Sequence, residues 1–251
     1  RGKLVSHSEN LLDKLWRNRP RVPDSAIWLM PQKSAGKTVA EKLDDLSKHL
    51  QDFDCEAILI TRADSVNWLA NMRGADLSCT PIKLCFALFH RQIGLYIFGD
   101  DAELFPVLGN AVKAVPLAKL PALLEKIGEG GLMIEAASLP MMMYQRILES
   151  GVKTTQTTCP ITWAKACKNV AELDGFRAAH RRDGVAMVEF ICWLDEEMRA
   201  PNAAFFESEI AEKLQTFRVK KTYKIKLLTL IIISKQIWSF WAMQMQLIIT
   251  H

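Results

Sequence analysis

Apolar residues fall along this chain in two alternating rhythms, and each rhythm predicts a type of element. From Thr38 onward, Val39, Leu43, Leu46 and Leu50 recur every three or four positions with charges between them, the spacing of one helix face. Ala57-Ile58-Leu59-Ile60-Thr61 then runs apolar almost throughout, as a strand covered on both faces does. A helical stretch carrying Val66, Leu69 and Ala70 follows. Leu84 to His90 and Ile93 to Phe98 read as strands, and the Arg91-Gln92 step between them is hairpin spacing. Further on, the pattern predicts a helix over Ala102 to Leu108, a strand over Ala111 to Leu117 and a helix over Ala118 to Ile127. Gly128 to Gly131 stops that helix; a short strand at Leu132-Met133-Ile134 and a helix over Pro140 to Glu149 complete the series. Strands alternating with helices imply a layered α/β domain with a mostly parallel or mixed sheet and flanking helices.

The two ends follow neither rhythm for long. Residues 1–36 are irregular, with one short amphipathic helix at Asn10 to Trp16 that Arg19-Pro20 and Val22-Pro23 break off. Val152 to Thr158 is β-rich and Cys159-Pro160 turns. Asn169 can cap a long helix with Glu172 as its capping-box partner. That helix should reach about Met198, with Leu173, Phe176, Met187, Ile191, Leu194 and Met198 on one face. Phe206 to Arg218 forms another. Residues 222–251 contain no Gly, Pro, Asp or Glu, which is not the composition of an ordinary folded domain. The expected organisation is therefore 1–36 as the end of a preceding domain and linker, 37–165 as the α/β domain, 166–221 as opening helices of a second, incomplete domain, and 222–251 as an aberrant apolar tail.

Composition narrows the function classes. The chain is 49% hydrophobic and 24% charged, the balance of a soluble globular protein. A net charge of +4 is spread out, without the Lys/Arg runs and interleaved aromatics of a nucleic-acid groove. The six cysteines form no C-x-x-C pair and have no His at a metal-finger spacing, so they read as reduced thiols of a cytoplasmic protein. A membrane anchor over Ile225 to Thr250 is disfavoured because Lys235 at its centre costs ~2.5–3.5 kcal/mol on insertion. Of the five histidines, His180 on the long helix is the best placed to act as a base or ligand, yet no second His or paired carboxylate is spaced to share a metal with it. The acidic clusters Asp44-Asp45, Asp100-Asp101 and Asp195-Glu196-Glu197 read as solvated faces. No catalytic or metal-ligating set is assigned. The remaining candidate is the stretch Trp68 to Asp76, a helix with a buried Trp ending in an Arg73-Gly74-x-Asp76 turn. On physical grounds alone this is a helix stop with a local Arg–Asp pair.

Those same residues carry a resemblance. Trp68-Leu69-Ala70-Asn71-Met72-Arg73-Gly74-Ala75-Asp76 is similar to the W-L-x-N-x-R-G-x-D turn of the long-form Xaa-Pro aminopeptidases. Asn10-Leu11-Leu12-Asp13-Lys14-Leu15-Trp16-Arg17-Asn18-Arg19-Pro20 resembles their N-L-V-D-x-x-W-x-x-R-P segment, and Lys168 to His180 resembles the K-N-x-x-E-x-x-G-M-R-x-A-H that opens their catalytic domain. One departure is Cys79-Thr80-Pro81, where many relatives have His-Asn-Pro. The resemblance implies a creatinase-type N-terminal α/β domain followed by the first helices of a pita-bread α+β domain. It also implies a parent that removes the residue preceding proline from peptides with proline in second position. That parent would use two divalent metals, typically manganese, held by ligands beyond Lys221, and would assemble as a homodimer with no nucleic-acid or membrane partner. Arg73 and Asp76 become a cleft or interface turn, and His180 a residue of a second-domain helix. This chain by itself is then expected to be inactive. Trp238 and Trp241 would each become Gly in the next reading frame, so a frameshift near residues 222–226 would account for a Gly-free tail. The alternative is a non-enzymatic creatinase-type domain serving oligomerisation or peptide binding.

Overall fold

A computed structural model describes residues 2, 11–78, 80–99, 112–201 and 204–222. Its centre is a six-stranded mixed sheet. In chain order the strands are β2 (Cys55–Ile60), β4 (Phe86–His90), β5 (Gly94–Phe98), β6 (Val112–Val115), β7 (Gly131–Ile134) and β8 (Thr154–Gln156). Their spatial order is β6-β5-β4-β2-β7-β8, with β2–β4 and β4–β5 antiparallel and β5–β6, β2–β7 and β7–β8 parallel. A separate two-stranded antiparallel ladder joins β1 (Trp28–Leu29) to β3 (Met72–Arg73).

The period-two alternation of the strands splits the core into two layers. Ile58, Ile60, Ala87, Phe89, Leu95, Ile97 and Met133 face one side. There they meet Leu43, Leu46 and Leu50 of α3 (Val39–Asp52), Val66 and Leu69 of α4 (Ala63–Leu69), and Ile161 of α7 (Pro160–Ala166). Ala57, Leu59, Leu88, Tyr96, Leu132 and Ile134 face the other side. These pack on Leu120, Leu123 and Leu124 of α5 (Leu120–Glu125) and on Met143 and Ile147 of α6 (Met141–Ser150). β2 is apolar at successive positions because both of its faces are covered. α3 begins where the chain supplies a full capping box: the Thr38 hydroxyl accepts from the Glu41 amide, and the Glu41 carboxylate accepts from the Thr38 amide. A side chain at Gly131 would place a Cβ 2.8 Å from the Asp54 carbonyl, so β7 can enter beside β2 only with glycine there.

The outer segments hold α1 (Leu11–Leu15), a single turn α2 (Gln32–Ala35), and the long helices α8 (Val170–Met198) and α9 (Glu207–Thr222). The expected mixed α/β layering is what the chain forms. The predicted helix at 102–108 lies outside the described residues, as does the tail from 223. Two expectations need correction. Cys159-Pro160 does not simply turn: Pro160 opens α7, since its fixed φ suits the first helical turn and its missing N–H is not needed there. The apolar face predicted on α8 is also misplaced. Ala186 and Phe190 are buried and Met187, Trp193 and Leu194 half-buried, while Leu173, Phe176, Ile191 and Met198 are exposed. The face that packs is set by α9, whose Arg218 reaches Asp183 through two hydrogen bonds of 2.7 and 3.2 Å, with Phe217 against Phe190 and Trp193.

Candidate functional site

The motif Trp68 to Asp76 folds into a turn wired to four other segments, around Ser25, Lys42, Leu84 and Glu172. Asn71 takes a left-handed conformation, φ 49°, and ends α4. Gly74 is required by a close approach: a Cβ there would stand 2.9 Å from the backbone of Lys83. Asp76 is buried, and one of its carboxylate oxygens accepts from the Ser25 amide (2.7 Å) and hydroxyl (2.6 Å) while the other accepts from the Leu84 amide (2.7 Å). Lys83 lies 3.7 Å from that second oxygen and is also bound to Asp24 and, at 3.0 Å, to the Ser25 carbonyl. Asn67 completes the frame, donating to the Lys83 carbonyl (2.8 Å) and accepting from its amide (2.9 Å).

The local Arg73–Asp76 pair read from the sequence does not form. Arg73 donates instead to the carbonyls of Met72 (2.7 Å) and Asn67 (3.4 Å), and burial lowers its pKa against the opposing pull of Glu172. Asp76 is taken by Ser25, Leu84 and Lys83, which approach from the preceding segment and the following loop. Four charged groups thus fix the path of two extended segments around one turn.

On the other side of the turn a second cluster connects α3, α4 and α8. The Lys42 ammonium is buried, donates to the Trp68 carbonyl (2.7 Å) and the Asn71 side chain (2.6 Å), and lies 3.8 Å from the Trp68 ring centroid. The Trp68 indole donates to Glu172 at 3.0 Å. Burial pulls the Lys42 pKa down to about 8, with Arg73 and Lys37 pushing the same way and Glu172 opposing them. Sequence reasoning did not single out Lys42. The signal was present, because Lys42 falls on the stripe Val39, Leu43, Leu46, Leu50, where an apolar side chain is expected.

The other sequence candidates do not converge. His180 is exposed and its ring lies 5.5 Å from Phe176 on the same helix. Asp45 is exposed and pairs with Lys37, and Asp195 pairs with Arg199 one turn away. Asp100 and Asp101 lie outside the described residues. Among the described residues no three His, Cys, Asp or Glu side chains come together as a metal-holding group. Cys55, Cys85 and Cys159 are buried free thiols, and burial pushes Cys85 up to about 12, far from a reactive thiolate. An open groove of about 210 Å³ beside Asn71 is lined by Leu29, Met30, Gln32, Thr38, Val39 and Ala70 and contains no titratable side chain. No helix among the described residues is long and apolar enough to cross a membrane.

The structure is a mixed sheet between two helical layers, with polar wiring that fixes a turn and a helix start. The chain belongs to the Creatinase/Prolidase N-terminal domain family, whose model matches residues 18–172. It is similar to the probable Xaa-Pro aminopeptidase P of Ajellomyces capsulatus (strain H143), 32% identical over 243 residues, covering 90% of this chain and 38% of that protein. The Aspergillus fumigatus (strain CEA10) protein of the same name is 33% identical over 233 residues, covering 87% of this chain and 35% of its own length. The chain thus spans little more than a third of these curated relatives. Among solved structures, the X-prolyl aminopeptidase of Caenorhabditis elegans, described as a cytosolic enzyme with a di-nuclear active site, superposes with a TM-score of 0.73. That match has 24% identity and covers 85% of this chain and 36% of that one. An Xaa-Pro dipeptidase from Bacillus anthracis shares the fold at a TM-score of 0.57 and 17% identity, over 73% of this chain and 50% of that one.

Proposed function

We propose that this chain is the N-terminal part of an Xaa-Pro aminopeptidase-like metallopeptidase, in which the α/β domain positions a catalytic unit that α8 and α9 begin. The observation that carries this reading is the extent of the likeness. A match covering 90% of the chain necessarily runs past residue 172, through α8 and α9, beyond the creatinase-type domain itself. A free-standing creatinase-type module would give no reason for the similarity to continue there. The whole enzyme would release an N-terminal residue preceding proline, with two divalent metals, manganese being the expected pair, supplying an activated water. Peptides with proline in second position are the expected substrates and a homodimer the expected assembly. The described residues do not fit a two-metal centre, since no cluster of carboxylates and histidine forms among them, and no chemical step is assigned to any of them. What they supply is a rigid base: Asp76 and Lys83 lock the turn, and Glu172 ties α8 to it.

The test is an assay with manganese and an X-Pro peptide on two proteins, the 251-residue chain and a chimera joining residues 1–221 to the rest of the Ajellomyces relative. The chain alone should release no N-terminal residue, and the chimera should do so. Manganese-stimulated cleavage by the chain alone overturns the positioning role. A folded but inactive chimera overturns the peptidase reading.

A further inference from the structure

The first turn of α8 is built by both units at once. Its cap residue Asn169 accepts from the Glu172 amide (3.0 Å) and donates to the Ala35 carbonyl at the end of α2 (2.8 Å). Glu172 accepts from the Asn169 amide (2.9 Å) with one oxygen and from the Trp68 indole (3.0 Å) with the other. Gly36 lies so close that a Cβ there would meet the Asn169 side chain at 2.2 Å. One turn further on this intimacy ends: Leu173, Asp174, Gly175, Phe176 and Arg177 are all exposed. Among the described residues, the side-chain hydrogen bonds that tie α8 to the segments before it lie in this one polar turn.

We propose that this turn is a latch on a hinge: the capping box of α8, gripped by Trp68 and Ala35, sets the angle at which the helical unit stands on the α/β domain, and the segment 167–169 is the pivot. The latch depends on the cation beneath it. An ammonium on the face of an indole withdraws electron density from the ring, which makes the N–H on its edge a stronger donor to Glu172. Charged groups facing Lys42 are Glu172 from α8, Arg73 from β3 and Lys37 from the loop before α3, the last already paired with Asp45. Glu172 is the single attraction among them. Removing its charge therefore lowers Lys42's affinity for a proton further. This inference concerns how the units are joined and stands apart from the peptidase reading.

Trp68→Phe removes the indole donor and keeps a smaller aromatic ring over Lys42. Trypsin cleavage after the exposed Lys168, within the pivot, should accelerate about tenfold, as expected for losing a hydrogen bond to a charged acceptor. Amide exchange should rise over residues 170–176 while β2 and β4 stay protected. Trp163→Phe, at an exposed indole, should change neither. Unaltered cleavage and exchange in a folded Trp68→Phe protein overturns the latch. Should Trp68→Phe fail to fold, Glu172→Gln removes the charge together with one of the two acceptors, because its single amide oxygen cannot accept from both the Asn169 amide and the Trp68 indole. By carbon NMR of the lysine side chains, Lys42 should then titrate below its original midpoint near 8. An unmoved midpoint would show that α8 does not bear on Lys42 and would equally overturn the proposal.

Discussion

The sheet layer and the helical pair spend their apolar residues in opposite ways. Every residue of β7 is buried, and β2 leaves only Glu56 partly open. On α8, by contrast, two of twenty-nine residues are buried, and Val185, Val188 and Ile191 are half or more exposed. The strands are enclosed because helices cover the sheet from both sides. Beyond its first turn, α8 packs on α9, held there by the partly buried Arg218–Asp183 pair and an aromatic cluster of Phe190, Trp193, Phe205 and Phe217. A sheet with both layers in place is complete in itself. A long helix with apolar residues on its remaining faces asks for another surface.

The comparison is broken most directly by separating the regions. Each large side chain left in water forgoes ~1.5–3 kcal/mol of burial, and contiguous bare apolar surface drives association. The 251-residue chain should therefore self-associate, whereas a version ending at Lys168 should be monodisperse and melt cooperatively. Ending at Thr158 instead removes Cys159 and Ile161, both of which belong to the core, and should destabilise the remainder. Light scattering and thermal melts decide. A monodisperse full chain beside an unfolded 1–168 version would show that α8 and α9 complete the sheet's own core.

Single substitutions sharpen the same contrast. Ile58→Ala opens a cavity between β2 and the α3 layer and should cost about 2–5 kcal/mol in denaturant titrations. Ile191→Ala removes a side chain that is already 55% exposed and should cost under ~0.5 kcal/mol. Equal losses at the two positions would mean that α8 is covered in solution.

What was legible in the sequence follows the same division. The strands could be read because covering both faces forces a run of apolar residues, and α3 because its apolar stripe keeps one face. The packed face of α8 could not, because its apolar residues are scattered around the helix, and the choice falls to the Asp183–Arg218 pair, whose partners are 35 residues apart. At the turn, the Arg73–Asp76 pair read from the spelling Trp68 to Asp76 gives way to other partners. Asp76 finds Ser25, 51 positions earlier, and Trp68 finds Glu172, 104 positions later. Spacing along a chain shows which groups are near in sequence, and these partners meet only once the sheet has brought their segments together.

Arg73→Ala tests whether the turn belongs to the enclosed region. The guanidinium is partly buried and donates to two carbonyls, and an alanine variant loses both bonds. Leaving buried acceptors unpaired costs about 1–3 kcal/mol. A measured loss in that range places the turn with the core. A loss under ~0.5 kcal/mol would make it an ordinary surface helix stop.

The last contrast is the pH dependence carried by Lys42. An unfolded chain holds the lysine proton up to the ordinary value of 10.5, whereas the folded protein, burying the ammonium, releases it near 8. Between these values the unfolded state binds more protons than the native state, so this group makes stability rise with pH, by at most ~1.4 kcal/mol per pH unit. Below 8 both states are protonated, the slope vanishes, and the folded protein carries the full penalty of burying the charge. Other groups titrate over the same range, so the quantity to follow is the difference between the parent chain and Lys42→Met. That difference should be constant below pH 7.5 and should shift in favour of the parent from about pH 8 to 10.5. A flat difference across the whole range would mean that Lys42 keeps its proton in the folded state, held by Trp68, Asn71 and Glu172 more firmly than its burial opposes. The charged grip on the first turn of α8 would then persist at alkaline pH.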